Sequence, residues 1–221
     1  MKKLLAFATA LSGFLAFVGS ASAADVTVDP GYDWTGPYIG LQAGYGWGDT
    51  QPTFAASTAD VNYDGFIGGI EAGYNWQSNN FVFGIEIDGS FSDINGDELG
   101  VNTPCVTPGE ACSADVDWLA TGRLRMGYAI DRLMPFITGG LAVGGVDGTF
   151  DFGACTCDVD DTTVGWTVGG GIEWAIDDSW SVKAEYLYVD LGKPSISGTN
   201  TFVGTDNYDF SIARLGVNFS F

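Results

Sequence analysis

Ten ionisable residues fall at positions where extended strands would aim them at a common face: Glu71, Glu86, Asp88, Asp117, Glu173 and Glu185, with Arg123, Arg125, Lys183 and Arg214. Six acids and four bases sharing a confined space have two chemical uses. They pair into a packed ionic network, because an isolated buried charge is very costly, or they line a watery path for cations. Glu71 and Glu86 flank a turn whose centre is expected between Ser78 and Asn79, which sets the two carboxylates opposite each other. Like charges so placed repel, and Arg123 or Arg125 reaching across would offset this.

Other residues suit metal or thiol chemistry. Clustered carboxylates favour hard cations such as Ca²⁺. The segment containing Asp93, Asn95 and Asp97 begins like a calcium loop but lacks its following Gly and distant Glu; Asp158, Asp160 and Asp161 form the next cluster. Neither amounts to a metal site, and no cofactor is expected. Cys105, Cys112, Cys155 and Cys157 make an even count, which in an exported chain implies disulfides. Three connectivities exist. Cys105–Cys112 closes a reasonable loop, Cys155–Cys157 would be strained, and crossed pairing competes; a four-thiolate metal site is a further alternative.

Composition excludes several classes. The chain has no His, which removes Ser-His-Asp triads, Cys-His pairs and His-ligated zinc. Its 28 acids against 8 bases give −20, opposite to the basic footprint that nucleic acid requires. Gly44-Tyr-Gly46-Trp-Gly48 and Gly169–Gly171 resemble phosphate-cradling loops only superficially, since no helix follows them. With 46% hydrophobic and 14% aromatic residues, the chain is too apolar for disorder.

The elements that position these residues are read from the N-terminus. Met1-Lys2-Lys3, an apolar run from Leu4 to Val18 and Ala21-Ser22-Ala23 form an export signal cleaved before Ala24. The alternative, a membrane anchor, is disfavoured by the short run. Removing Lys2 and Lys3 takes the charge from −20 to −22. Residues 24–34 read as a polar linker, and 35–221 as one domain. No later apolar run is long enough for a membrane helix, so any membrane role must use strands.

Beyond residue 35, eight segments alternate with period 2. The first sets Ile39, Leu41, Ala43, Tyr45 and Trp47 against Tyr38, Gly40, Gln42, Gly44 and Gly46; the last sets Ala213, Leu215, Val217, Phe219 and Phe221 against Arg214, Gly216, Asn218 and Ser220. Short turns at 77–80, 131–133 and 175–179 alternate with long stretches near 48–62, 92–116, 147–162 and 191–206. Thirteen acids and one base, Lys193, fall in those stretches. One face carries most of the Trp, Tyr, Phe, Ile and Leu; the other is rich in Gly, Ser, Thr and charges. An eight-stranded barrel has little internal room, so the bulky face must point outward to lipid and the small, polar face inward. The alternative is a lipocalin-like soluble barrel. The expected fold is all-β: an eight-stranded antiparallel up-and-down transmembrane barrel with four long outer loops and short periplasmic turns.

Asp33-Trp-Thr-Gly-Pro-Tyr-Ile-Gly40, Arg123-Leu-Arg-Met-Gly-Tyr128, Met134-Pro-Phe-Ile-Thr-Gly-Gly-Leu-Ala142 and Ala213-Arg-Leu-Gly-Val-Asn-Phe-Ser-Phe221 resemble the small outer-membrane β-barrel (porin-family, OmpA-like) proteins of alphaproteobacteria. The resemblance spans nearly all of the mature chain and implies residence in the cell outer membrane, contact with its lipid and insertion by the barrel-assembly machinery. It implies that Leu215, Val217, Phe219 and Phe221 form the signal which that machinery reads. The four cysteines depart from many members. A non-enzymatic, monomeric structural barrel is expected, supporting envelope integrity and exposing acidic loops at the cell surface. The alternatives are a narrow passive-diffusion porin, or an adhesion or ligand-binding barrel whose extracellular ligand the residues do not name.

Overall fold

Extended backbone with alternating side chains produces eight strands. They are β1 (Gly36–Thr50), β2 (Val61–Ser78), β3 (Phe81–Glu98), β4 (Cys112–Tyr128), β5 (Leu133–Asp151), β6 (Thr156–Ala175), β7 (Trp180–Asp190) and β8 (Asp209–Ser220). The computed structural model describes residues 32–50, 53–54, 57–58, 61–98, 112–151, 156–192 and 209–221. The proposed signal 1–23 lies outside the described residues, as do Cys105, Cys155 and Lys193. Consecutive strands pair antiparallel, and β1 pairs with β8 from Tyr38↔Ser220 to Gly48↔Phe210, closing the barrel. Thr53–Phe54 and Ser57–Thr58 form a separate two-rung ladder.

The strands exceed the expected lengths. About 9–11 residues cross a bilayer, yet β2 to β6 run for 17 to 20. Pairing continues to Glu98↔Cys112 between β3 and β4 and to Asp151↔Thr156 between β5 and β6. Much of 92–116 and 147–162, expected as loops, is therefore hairpin. Each added rung pairs backbone groups that a loop would leave to water.

The first tight turn is displaced by one residue from its expected place. Ser78 pairs with Phe81, so the turn is centred between Asn79 and Asn80; Asn79 holds the left-handed conformation, φ +54°, that Asn tolerates. Glu71 consequently faces Asp88, and Glu86 faces Gly73. Asp131 plays the same part, φ +54°, in the turn between Ile130 and Leu133. In the third turn Asp177 Oδ1 accepts from the backbone N–H of Ser179 and Trp180, each at 2.8 Å.

Outward residues are apolar: Leu41, Phe66, Phe91 and Leu215 are 68%, 74%, 82% and 68% accessible. Aromatics flank the aliphatic middle. Trp76, Phe81, Tyr128, Trp174, Trp180 and Phe221 mark the turn end; Tyr45, Trp47, Phe66, Phe91, Trp118, Trp166 and Tyr186 mark the loop end. Such paired girdles suit the two membrane interfaces.

Inward glycines leave no side chain where a neighbouring strand crowds the lumen face. A Cβ on Gly140 would collide with the Gly122 carbonyl and the Arg123 Cα, whereas outward Gly89 and Gly122 have nothing near that position. Gly140→Val is therefore expected to destabilise the barrel by about 3 kcal/mol or more, with loss of the heat-modifiable folded band. Gly89→Val, which adds apolar surface facing lipid, should retain that band.

Candidate functional site

The strand parity carries nine of the ten charged residues into the lumen, all buried. Glu86 on β3 is the hub. It accepts from Arg123 Nη2, from Arg125 Nη1 at 3.4 Å, from Lys183 Nζ at 3.0 Å and from the Tyr38 hydroxyl at 2.5 Å. Asp88 accepts from Thr121 Oγ1, from Arg123 Nη2 at 3.1 Å, Arg214 Nη1 at 3.0 Å and Gln42 Nε2 at 3.2 Å. Glu185 on β7 receives Arg123 Nη1 at 2.8 Å and Arg214 Nε at 2.7 Å. Glu173 on β6 receives Arg125 Nη2 at 2.5 Å, Ser181 Oγ at 2.6 Å and Asn218 Nδ2 at 3.0 Å. Glu71 receives Lys183 Nζ at 2.6 Å. The Arg125 guanidinium also lies 4.4 Å from the Phe136 ring centroid, within cation–π range.

Asp117 is the exception and corrects the expectation. It falls at a bulge: Val116 pairs with Val146 and Trp118 with Gly145, which leaves Asp117 without a β5 partner. The extra residue breaks the alternation, and Asp117 is exposed rather than part of the network. Five acids therefore share the lumen with four bases.

Apolar layers seal both ends. Toward the loops, Tyr63, Ile67, Ile94, Leu119, Leu187, Leu191, Phe210 and Ile212 belong to one buried cluster. Toward the turns, Trp34, Val82, Ala129, Met134 and Ala175 form another, with Tyr32 packed against it. Trp34 is fixed by its backbone N–H, which donates to Gln77 Oε1 at 2.8 Å, so the end of the segment expected as polar linker is a plug instead. Both layers escape a reading that assigns all bulk to the lipid face. The available signal was the parity itself, since Ile67, Ile94, Leu119, Leu187 and Ile212 all occupy inward positions.

The remaining candidates fall on the loop-end rungs of the strands. Asn95 and Asp97 are on β3 rungs opposite Asp115 and Ser113, so 93–97 is extended strand and not a calcium-type loop. Asp93 is exposed beside them. Asp158, Asp160 and Asp161 occupy β6 rungs opposite Thr149, Asp147 and Val146. Among the described residues no group of three or more His, Cys, Asp or Glu could hold a metal ion. Cys112 and Cys157 face Phe150 from either side. Two strand spacings, about 9.6 Å, exceed the ~7 Å limit of a disulfide's Cα separation, so this ladder does not permit a direct Cys112–Cys157 bridge. Leu215, Val217 and Phe221 are exposed on the outer surface, and Phe219 packs between Trp180 and Phe221, each ring centroid 5.1 Å away.

A closed antiparallel barrel with an apolar outer skin, two aromatic girdles and an ionic core is a transmembrane protein of the outer-membrane class. The family model for the outer membrane protein beta-barrel domain matches residues 10–221, and the chain belongs to that family. It is 37% identical to the 31 kDa outer-membrane immunogenic protein of Brucella melitensis over 93% of this chain and 95% of the relative. It is 30% identical to the 25 kDa outer-membrane immunogenic protein of that species, over 100% of this chain and 99% of the relative. Among solved structures, Neisserial surface protein A matches with a TM-score of 0.47 and 17% identity, covering 85% of this chain and 98% of that one. The protein resides in the outer membrane.

Arg123 bridges Glu86, Asp88 and Glu185 with no access to solvent. Removing one partner from such a cluster typically costs about 3–5 kcal/mol. Arg123→Glu is expected to lose at least this much in urea unfolding and to abolish the heat-modifiable gel shift. Asp117→Asn, outside the network, should stay within about 0.5 kcal/mol of the parent.

Proposed function

We propose that this protein is a non-conducting structural barrel that supports outer-membrane integrity and presents acidic loops at the cell surface. One observation carries the reading: the lumen is filled in three layers, apolar at the loop end, ionic in the middle and apolar at the turn end. A permeating ion would have to displace both apolar layers and break charge pairs that span the barrel. No enzymatic role is proposed. The sequence has no His, and the lumen carboxylates are each committed to an ion pair. The Brucella relatives are named immunogenic outer-membrane proteins, which supports surface exposure here. Insertion by the barrel-assembly machinery, reading Leu215, Val217, Phe219 and Phe221, is part of the proposal, as is a monomeric state. The outward placement of Leu215, Val217 and Phe221 on the final strand supports the first.

The test pairs electrophysiology with a deletion. Folded, purified protein in planar bilayers is expected to give no reproducible unitary conductance, and the deletion strain should become sensitive to detergents and large antibiotics. Steady single-channel steps from pure protein, with an unchanged envelope in the deletion strain, would replace this reading with a narrow diffusion pore.

A further inference from the structure

Closure of the barrel does not extend to the loop-end tip of β6. That strand begins at Thr156, but its pairing with β7 begins at Trp166↔Asp190, on the loop-end girdle. In between, Thr156–Thr163 ladder with β5 on one side, and among the described residues nothing pairs with them on the other. β7 does not follow β6 beyond the girdle. Asp190 Oδ1 accepts from the Gly192 backbone N–H at 2.8 Å, and Gly192 holds φ +71°, so the strand ends there. Outside hydrocarbon, water can serve the open backbone groups, but such an edge is also a template for another strand.

The rungs that lead to this edge carry one sign of charge. Asp64 on β2 pairs with Asn95 on β3, Asn95 with Asp115 on β4, Asp115 with Asp147 on β5, and Asp147 with Asp160 on β6. One row across five strands therefore holds four acids, and it ends at the open edge. Asp158 and Asp161 stand on neighbouring rungs of that edge. Like charges directly opposite each other destabilise a sheet. The described residues supply no base to relieve them: Arg123, Arg125, Lys183 and Arg214 are buried in the lumen, and Arg132 is in a turn at the far end.

We propose that the Thr156–Thr163 edge of β6 is a docking site for an extended, basic polypeptide segment, which adds to the sheet as a further strand. Backbone N–H and C=O groups of alternate residues supply the pairing, and Asp158, Asp160 and Asp161 select Lys or Arg opposite them. A basic residue set against Asp160 continues the row with the opposite sign. A second copy of this chain fits poorly, because it would lay the same three acids against their equivalents. That the partner comes from outside the cell rests on the surface exposure proposed above; the binding itself does not.

The test uses the full barrel, purified and folded in detergent, so its outcome is independent of the conductance and deletion experiments. The probe is a labelled peptide of alternating Lys and Thr. One control replaces Lys by Glu, and another keeps every Lys but is methylated on all backbone amide nitrogens. The Lys–Thr peptide is expected to bind saturably. The Glu peptide should not bind, and the methylated one, which keeps the charge and loses the N–H donors, should bind at least about tenfold more weakly. Joint substitution Asp158→Asn, Asp160→Asn and Asp161→Asn removes three cross-strand charge pairs and should weaken binding by about tenfold, whereas Asp178→Asn at the turn end should leave it unchanged. Residue-resolved hydrogen exchange should show alternate amides within Thr156–Thr163 exchanging fast in the free barrel and slowly with the peptide bound. Equal binding of the methylated peptide, full binding by the folded triple variant, or protection confined to other residues would each overturn the proposal. So would slow exchange of the whole edge in the free barrel, which would make the occupant the chain's own 193–208 segment in a monomer or a second copy in a dimer.

Discussion

Hydrocarbon offers no hydrogen-bond partner, so every backbone N–H and C=O within the membrane must be paired by the chain itself. That constraint closes β1 on β8 and sets the rest of the architecture. Eight strands make a narrow tube, and the narrowness dictates what each inward position can hold. On the lumen face even a methyl group on Gly140 would collide with the strand paired beside it, at the Gly122 carbonyl and the Arg123 Cα. Bulk is displaced outward, where lipid accommodates it. The excess of glycine and the apolar skin therefore have one cause.

The same closure turns the lumen into a sealed interior. Tyr63, Ile67, Leu187 and Phe210 pack at the loop end, and Trp34 and Met134 at the turn end. Between them water is displaced, so the charged side chains must satisfy one another. They do so in layers: Arg125 with Glu173 and Tyr38 nearer the turns, Glu86 with Lys183 and Arg123 in the middle, and Asp88 with Arg214 and Thr121 nearer the loops. Trp34 shows how the chain before β1 joins this architecture, held to β2 through Gln77.

Much of this was legible in the sequence because a strand's period of 2 is rigid. Parity alone assigned Glu71, Glu86, Asp88, Glu173, Glu185 and the four bases to the lumen. What parity cannot carry is a local change of register. Asp117 follows the alternation by count but sits at a bulge, which only the pairing of Val116 and Trp118 with β5 reveals. The left-handed Asn79 moved the first turn centre and exchanged Glu86 for Asp88 as the partner of Glu71. Hairpin extension past Asp93 and Asp147 was hidden for a different reason: acidic, glycine-containing segments read as loops, yet the ladders continue there. The apolar plugs were hidden by the abundance of bulk on the lipid face, although Ile67 and Ile212 stand at inward positions.

An apolar filling could stabilise the middle of the lumen as well as ions do, because desolvation consumes most of the gain from a buried ion pair. The arrangement of the pairs gives a reason for charge. Arg123 on β4 reaches Glu185 on β7; Arg214 on β8 reaches Asp88 on β3; Lys183 on β7 reaches Glu71 on β2; Arg125 on β4 reaches Glu173 on β6. Every base ties walls that the backbone ladder does not join directly. A slip of one residue in any strand would turn its charged side chains into lipid and leave their partners uncompensated. Leucine or valine in those positions would tolerate such a slip far better, since apolar side chains are accepted on both faces. The ionic layer therefore adds to specificity: a slip that turned these charges toward lipid would also force the outward bulk into the narrow lumen, and the two penalties together favour one register of the eight strands.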